Sequence, residues 1–90
     1  MSEFREHLEE LKKNPQFAAE YERTRSEREV MRAVIRARLE CKLTQKELAQ
    51  RTGIRQSNIS RIENGTSSPT VDTLARLAEG MGKRLTIEFR

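Results

Sequence analysis

The chain has one cysteine (Cys41), one histidine (His7), no tryptophan, two prolines and four glycines in 90 residues. A single cysteine forbids an internal disulfide and gives no sign of an oxidising compartment. A single histidine excludes a His-rich metal site. No apolar run is longer than three residues, which excludes a membrane span or the core of a secretory signal. These absences predict a soluble, cytoplasmic chain that needs no metal or other cofactor. Hydrophobic residues make up only 34% against 36% charged, so one modest core is expected, without a deep pocket between two lobes.

Catalytic constellations are missing as well. His7 stands among charges with no nucleophile beside it, and Cys41 has no histidine near it in sequence. Glu9 and Glu10 are adjacent, so on a helix they point apart. Gly80-Met81-Gly82 is too short for a phosphate cradle and follows a helical pattern rather than a strand. The chain is not expected to be an enzyme.

What is present is charge, and it is unevenly placed. Residues 1–29 carry six basic and eight acidic groups, whereas residues 30–90 carry twelve basic and six acidic ones. The net +4 is therefore a −2 arm joined to a +6 body. A basic body suits a polyanion and an acidic arm suits a cationic partner, although ordinary solvated helices can also segregate charge.

Spacing predicts mostly helix. Phe4, Leu8 and Leu11 share one face of a first helix, with glutamates early and lysines late. Asn14-Pro15 caps and opens a second, carrying Phe17 and Tyr21. Ser26-Glu27-Arg28-Glu29 reads as a capping box before a helix with Val30, Val34, Ile35 and Leu39, running to about Cys41. Thr44-Gln45-Lys46-Glu47 is a second box, before a short helix closed by Gly53. A further helix covers Gln56–Glu63 and ends at Asn64-Gly65. Thr70 opens the last, with Val71, Leu74, Leu77 and Ala78, ending at Gly80 or Gly82. Residues 83–90 then alternate, with Leu85, Ile87 and Phe89 on one side, as a half-buried strand does. A lone strand needs a partner, and the same strand of a second copy across a two-fold axis supplies one. The competing arrangement is a tail laid over the domain's own core.

Two short helices joined through Gly53, the second polar on its outer face, form a helix-turn-helix unit. Ile54, Ile59 and Ile62 anchor it inward, which leaves Gln56, Ser57, Ser60 and Arg61 directed outward. Gln and Asn bond adenine edges, Arg bonds guanine and Ser adapts to either in the major groove. Gln45, at a helix start, is placed to meet a phosphate.

Residues 34–82 resemble the Cro/C1-type (XRE) helix-turn-helix family through Leu43-Thr44-Gln45-Lys46-Glu47-Leu48-Ala49, Gly53 and Ile59-Ser60-Arg61-Ile62-Glu63-Asn64-Gly65. The resemblance implies that Gln56, Ser57 and Arg61 read bases, that Gln45 and Asn64 meet phosphates, and that Arg38 pairs with Glu63. Asn58 and Ser60 complete the DNA-facing set. Lys42 departs from the family, which often has Gly there, so the turn needs a left-handed non-glycine or another geometry. Arg55 replaces a usual Ser or Thr cap, losing about 1 kcal/mol while placing a guanidinium within reach of a phosphate.

The arm, with Lys12-Lys13-Asn14-Pro15-Gln16-Phe17 and Glu20-Tyr21-Glu22, and the short final strand are similar to HigA-type antitoxins. That resemblance implies neutralisation of a basic, RelE-like mRNA-endonuclease toxin and autorepression of the operon by a homodimer on a palindromic operator. Phe4, Leu8, Leu11, Phe17 and Tyr21 would be the toxin anchors, unless they pack on their own domain. Leu85, Ile87 and Phe89 would form the dimer interface. The expected fold is thus all-α: an arm (1–25), a helix-turn-helix bundle (26–82) and a dimerisation strand (83–90). A stand-alone repressor and an interaction module without DNA binding are the competing readings.

Overall fold

Capping side chains decide where this polar chain turns helical, and most do so as their residue types predict. The computed structural model describes residues 2–90, Ser2 by its backbone alone. Its helices are α1 (Ser2–Lys12), α2 (Pro15–Arg23), α3 (Arg25–Glu40), α4 (Gln45–Thr52), α5 (Gln56–Asn64) and α6 (Val71–Gly80). Asn14 Oδ1 accepts from the Gln16 and Phe17 N–H groups and so starts α2. At α4 the box is reciprocal: Glu47 N–H donates to Thr44 Oγ1 at 3.0 Å, and Thr44 N–H donates to Glu47 Oε1 at 2.9 Å. Those bonds hold the Glu47 carboxyl below its usual range, the Thr44 backbone bond contributing most. Gly53 ends α4 at φ 74°, a left-handed turn that costs glycine little. Of the two alternatives at Lys42 the chain takes the left-handed one, φ 55°.

The box at Ser26 does not form. Helix α3 already begins at Arg25, one residue after α2 closes. The Thr24 hydroxyl bonds back to the Glu20 and Tyr21 carbonyls. The Arg28 guanidinium meanwhile donates to Thr24 Oγ1 at 2.6 Å and to the Tyr21 carbonyl at 2.9 Å. These bonds carry the chain from α2 into α3 without an extended cap residue, so Ser26 is left inside the helix.

The core consists of Val34, Leu43, Leu48, Ile54, Ile59, Ile62, Leu77 and Met81, with Val30, Ala37, Cys41, Ala49 and Leu74 packed against it. Each fully buried Leu or Ile adds about 1.5–3 kcal/mol. Leu39 and Val71 face solvent instead. Among the described residues nothing before Val34 is buried. Helix α1 packs on α2, and α2 on α3. The radius of gyration is 15.4 Å, against about 12 Å for a compact chain of this length: α1 and α2 stand out from the core.

The segment 83–90, expected as a strand, forms none in the single chain. Lys83 N–H donates to the Ala78 carbonyl, but no neighbouring strand completes a ladder beyond it among the described residues. The segment instead runs along a groove between α3 and α6. Leu85 is half-buried there, while Ile87 and Phe89 are 63% and 98% exposed.

Gly80 is where α6 passes closest to α4. A Cβ on Gly80 would collide with the Thr52 methyl, and Thr52 cannot turn away freely. Its hydroxyl donates to the Leu48 carbonyl at 2.8 Å and accepts from the Ile54 N–H at 3.2 Å. In an open helix Gly→Ala gains about 1 kcal/mol. Here Gly80→Ala should lower stability in urea denaturation, and adding Thr52→Ser, which removes the methyl but keeps the hydroxyl, should restore it. A stabilised Gly80→Ala single variant would refute the close approach.

Candidate nucleic-acid interface

The candidate interface centres on α5, whose inner residues fix what its outer residues present. Ile59, Ile62 and Glu63 are buried, so the opposite side carries Gln56, Ser57, Ser60, Arg61 and Asn64. Of these Gln56, Ser57, Arg61 and Asn64 are exposed and Ser60 is half-buried; Arg55 is exposed and Asn58 half-buried. Arg55 occupies the cap position at φ −61°, ψ 138° and makes no side-chain cap bond. Its guanidinium is therefore free of the helix it precedes.

One ion pair holds α5 against α3. Arg38 Nε donates to Glu63 Oε2 at 2.8 Å and its Nη2 to Glu63 Oε1 at 2.9 Å. Arg38 Nη1 donates to the Leu43 carbonyl at 2.9 Å. The side chains are 14% and 7% exposed. Burial pushes the Glu63 carboxyl up, but the bonds from Arg38 and Gln45 and the Arg38 charge outweigh it and hold it below its usual range. The Glu63 hydrogen bond in turn raises Arg38.

Gln45 has a partner that its sequence position did not reveal. Its Nε2 donates to Glu63 Oε1 at 3.1 Å, leaving the amide oxygen and the first turn of α4 as its open polar groups. Asn64 is also engaged: its Oδ1 accepts from Thr66 N–H at 3.1 Å and Thr66 Oγ1 at 2.7 Å, with the amide nitrogen outward-capable. Beside α5 lies an open cleft walled by Arg55, Ser57, Asn58 and Arg61 and, from α6, by Thr73 and Arg76. Sequence reasoning missed Thr73 and Arg76. Their only signal was polarity on α6, which says nothing of which helix they adjoin.

The expected arm anchors fall into two groups. Phe17 and Tyr21 stack at 5.9 Å between ring centroids. Lys12 Nζ and the Arg28 guanidinium lie 4.6 and 3.7 Å from the Tyr21 centroid, so the Tyr21 ring ties α1, α2 and α3 together through cation–π contacts. Phe4 is 71% exposed and Leu11 also faces solvent, with Leu8 half-buried. Among the described residues no group of His, Cys, Asp or Glu is arranged to hold a metal. No helix there is long and apolar enough to cross a membrane.

A core of short helices with a buried Arg–Glu pair and a polar outer α5 defines a helix-turn-helix protein. A helix-turn-helix family model matches residues 34–87, and the chain belongs to that family, in its XRE-type form, with a likeness to HigA-type antitoxins. The antitoxin HigA1 of Mycobacterium tuberculosis is 35% identical over 74 residues, 82% of this chain and 50% of the relative. An uncharacterised HTH-type transcriptional regulator of Haemophilus influenzae is 34% identical over 58 residues, 64% of this chain and 59% of that protein. The antitoxin HicB 1 of Photorhabdus laumondii is 37% identical over 56 residues, 62% of this chain and 36% of that protein. The chain spans about half the length of HigA1. No solved structure matches.

The ion pair carries a pH signature. Glu63 titrates low when folded and near 4.3 when unfolded, so its contribution is complete above that value and lost as pH falls through the lower, folded one. Urea titrations stepped down from neutral pH should show this acid loss in the native chain and a flatter limb in Glu63→Gln. At neutral pH Glu63→Ala strands Arg38 and should cost about 3 kcal/mol, whereas Arg38→Met with Glu63→Leu recovers most of it. A Glu63→Ala variant as stable as the native chain would exclude a structural role for the pair.

Proposed function

We propose that the chain is a sequence-specific DNA-binding antitoxin, which represses its own operon as a homodimer and neutralises a basic, RelE-like mRNA endonuclease. The observation that carries this reading is the reach of the HigA1 similarity. It covers 74 residues, more than the 65 residues from Ser26 to Arg90, so it extends into the acidic arm and is not confined to the helix-turn-helix core.

In this reading α5 enters the major groove. Gln56, Ser57, Ser60 and Arg61 meet base edges, with Asn58 at the margin. Arg55, Asn64 and the start of α4 at Gln45 meet phosphates. The toxin takes α1, where Phe4 and Leu11 are open beside four glutamates. Leu8 lines the same helix, and Phe17 with Tyr21 holds it at its angle. Ile87 and Phe89, exposed in the single chain, pair with their copies across the two-fold axis, with Leu85 at the inner edge. The match to the Haemophilus influenzae regulator, short enough at 58 residues to lie within the body alone, favours a second reading: a stand-alone repressor whose arm only supports the fold.

Binding to a duplex from the chain's own promoter should be specific, salt-sensitive and directed to an inverted repeat with half-sites about 34 Å apart or a multiple of it. Gln56→Ala with Arg61→Ala should erase preference for that duplex over an unrelated one; unchanged preference would remove α5 as the reader.

Co-expression with the product of the adjacent reading frame should yield a complex that Phe4→Glu with Leu11→Glu disrupts. A neighbouring product that stays separate would leave the stand-alone repressor. Deleting Leu85–Arg90 should give a monomer in sedimentation, and an intact dimer would refute strand pairing.

A further inference from the structure

The cleft between α5 and α6 holds charge that the fold itself does not use. Arg55, Arg61 and Arg76 all line it. None of the three makes an ion pair or a side-chain hydrogen bond among the described residues. Arg38 behaves otherwise, committing all three guanidinium nitrogens to Glu63 and Leu43. Arg25 and Arg90 likewise find glutamates. No carboxylate lines the cleft. Asp72 stands four residues before Arg76, the spacing at which a helical ion pair forms, yet the two are not paired.

Three guanidiniums around one open cleft repel one another, and only an anion between them turns that repulsion into attraction. The neutral wall is mostly small and polar, Gly53, Ser57, Asn58 and Thr73, with Ile54 its one aliphatic side chain. It lacks the apolar lining that encloses a small organic ligand. Such a cleft suits a group that is anionic, rich in acceptors and carried on something too large to be enclosed.

The geometry points to the α5–α6 cleft as a binding site for a phosphodiester group of duplex DNA, with Arg76 of α6 closing it opposite Arg55 and Arg61. This rests on the DNA-binding reading and extends it to a helix outside the helix-turn-helix pair. DNA is the source of the phosphate because Ser57 and Arg61 belong at once to the cleft and to the outer face of α5, with Arg55 at the cap of that helix. A duplex met by that face of α5 would bring a backbone phosphate beside the cleft. Arg76 is then a positioning contact: it adds affinity for duplex of any sequence and sets how α5 sits, but reads no base.

The test compares the full-length chain with Arg76→Ala and Arg76→Lys on two duplexes, its own promoter fragment and an unrelated sequence of equal length, from low to high potassium chloride. Arg76 is exposed, so thermal melts of the variants should match the native chain and separate binding from folding. Arg76→Ala should weaken both duplexes by the same factor and reduce the slope of log affinity against log salt by about one. Arg76→Lys should restore most of that slope, since a phosphate accepts either cation. Inorganic phosphate titrated against the Arg76 Nε–H resonance should displace it only at concentrations where potassium chloride does the same.

A native slope in Arg76→Ala, on a duplex that the native chain binds, overturns the cleft site and leaves the DNA-binding reading standing. Loss of preference for the promoter fragment at unchanged affinity for the unrelated one overturns it too, by making Arg76 a base reader. Saturable phosphate binding well below those salt concentrations assigns the cleft to a free anion and refutes the DNA site. Absence of salt-dependent duplex binding by the native chain removes both readings together.

Discussion

Arg38 and Glu63 meet in two near-parallel bonds of 2.8 and 2.9 Å against the core, and the placement of α5 follows from that fork. Rolling α5 by one residue would swing Glu63 about a quarter turn and leave both charges without water or partner. The penalty for such a slip far exceeds what the pair adds when intact, because desolvation consumes most of the attraction. Its contribution is therefore to arrangement. Through Leu43 and Gln45 it also reaches the turn and the first residue of α4. Three helices and the turn between two of them are registered by four polar groups, and Arg rather than Lys is required because only a planar fork serves two oxygens and a carbonyl at once.

The arm obeys different physics. With no fully buried residue among those described, α1 and α2 draw their order from Asn14 capping, from the Phe17–Tyr21 stack and from two cations over the Tyr21 ring. An isolated helix of eleven residues is marginal in water, since nucleation fixes several dihedrals for one hydrogen bond. Exposed Phe4 gives α1 nothing in return until something covers it. Body and arm thus differ in what stabilises them as well as in charge: apolar burial in one, surface contacts in the other.

Legibility in the sequence followed the range of the interaction. Asn14, the Thr44–Glu47 box, Gly53 and Thr70 act within three or four residues, and each stands where its chemistry predicts. Ser26 carried the same signal and failed, because Arg28 and Thr24 bond back to α2 and hold the chain helical through the expected break. The Gly80–Thr52 approach, the Gln45–Glu63 bond and the Arg76 wall depend on helices distant in sequence, for which spacing carries no information. The alternation in 83–90 was real as a pattern, but a strand is a relation between two segments, and the single chain supplies only one.

Arginine shows why residue type alone understates this protein. Arg38, Arg28, Arg25 and Arg90 all end on oxygen atoms of their own chain, and for external partners their charge is largely spent. Arg55, Arg61 and Arg76 end on nothing and converge on one cleft. A formal +4 counts all seven alike. Sorted by partner, the charge divides into a structural share that holds helices together and a free share, of which three guanidiniums meet at one cleft beside α5. Field strength at a surface depends on local, uncompensated charge within a Debye length of about 10 Å, so the free share governs what the molecule attracts. A nearly neutral chain can hold a polyanion firmly when its unpaired cations stand together.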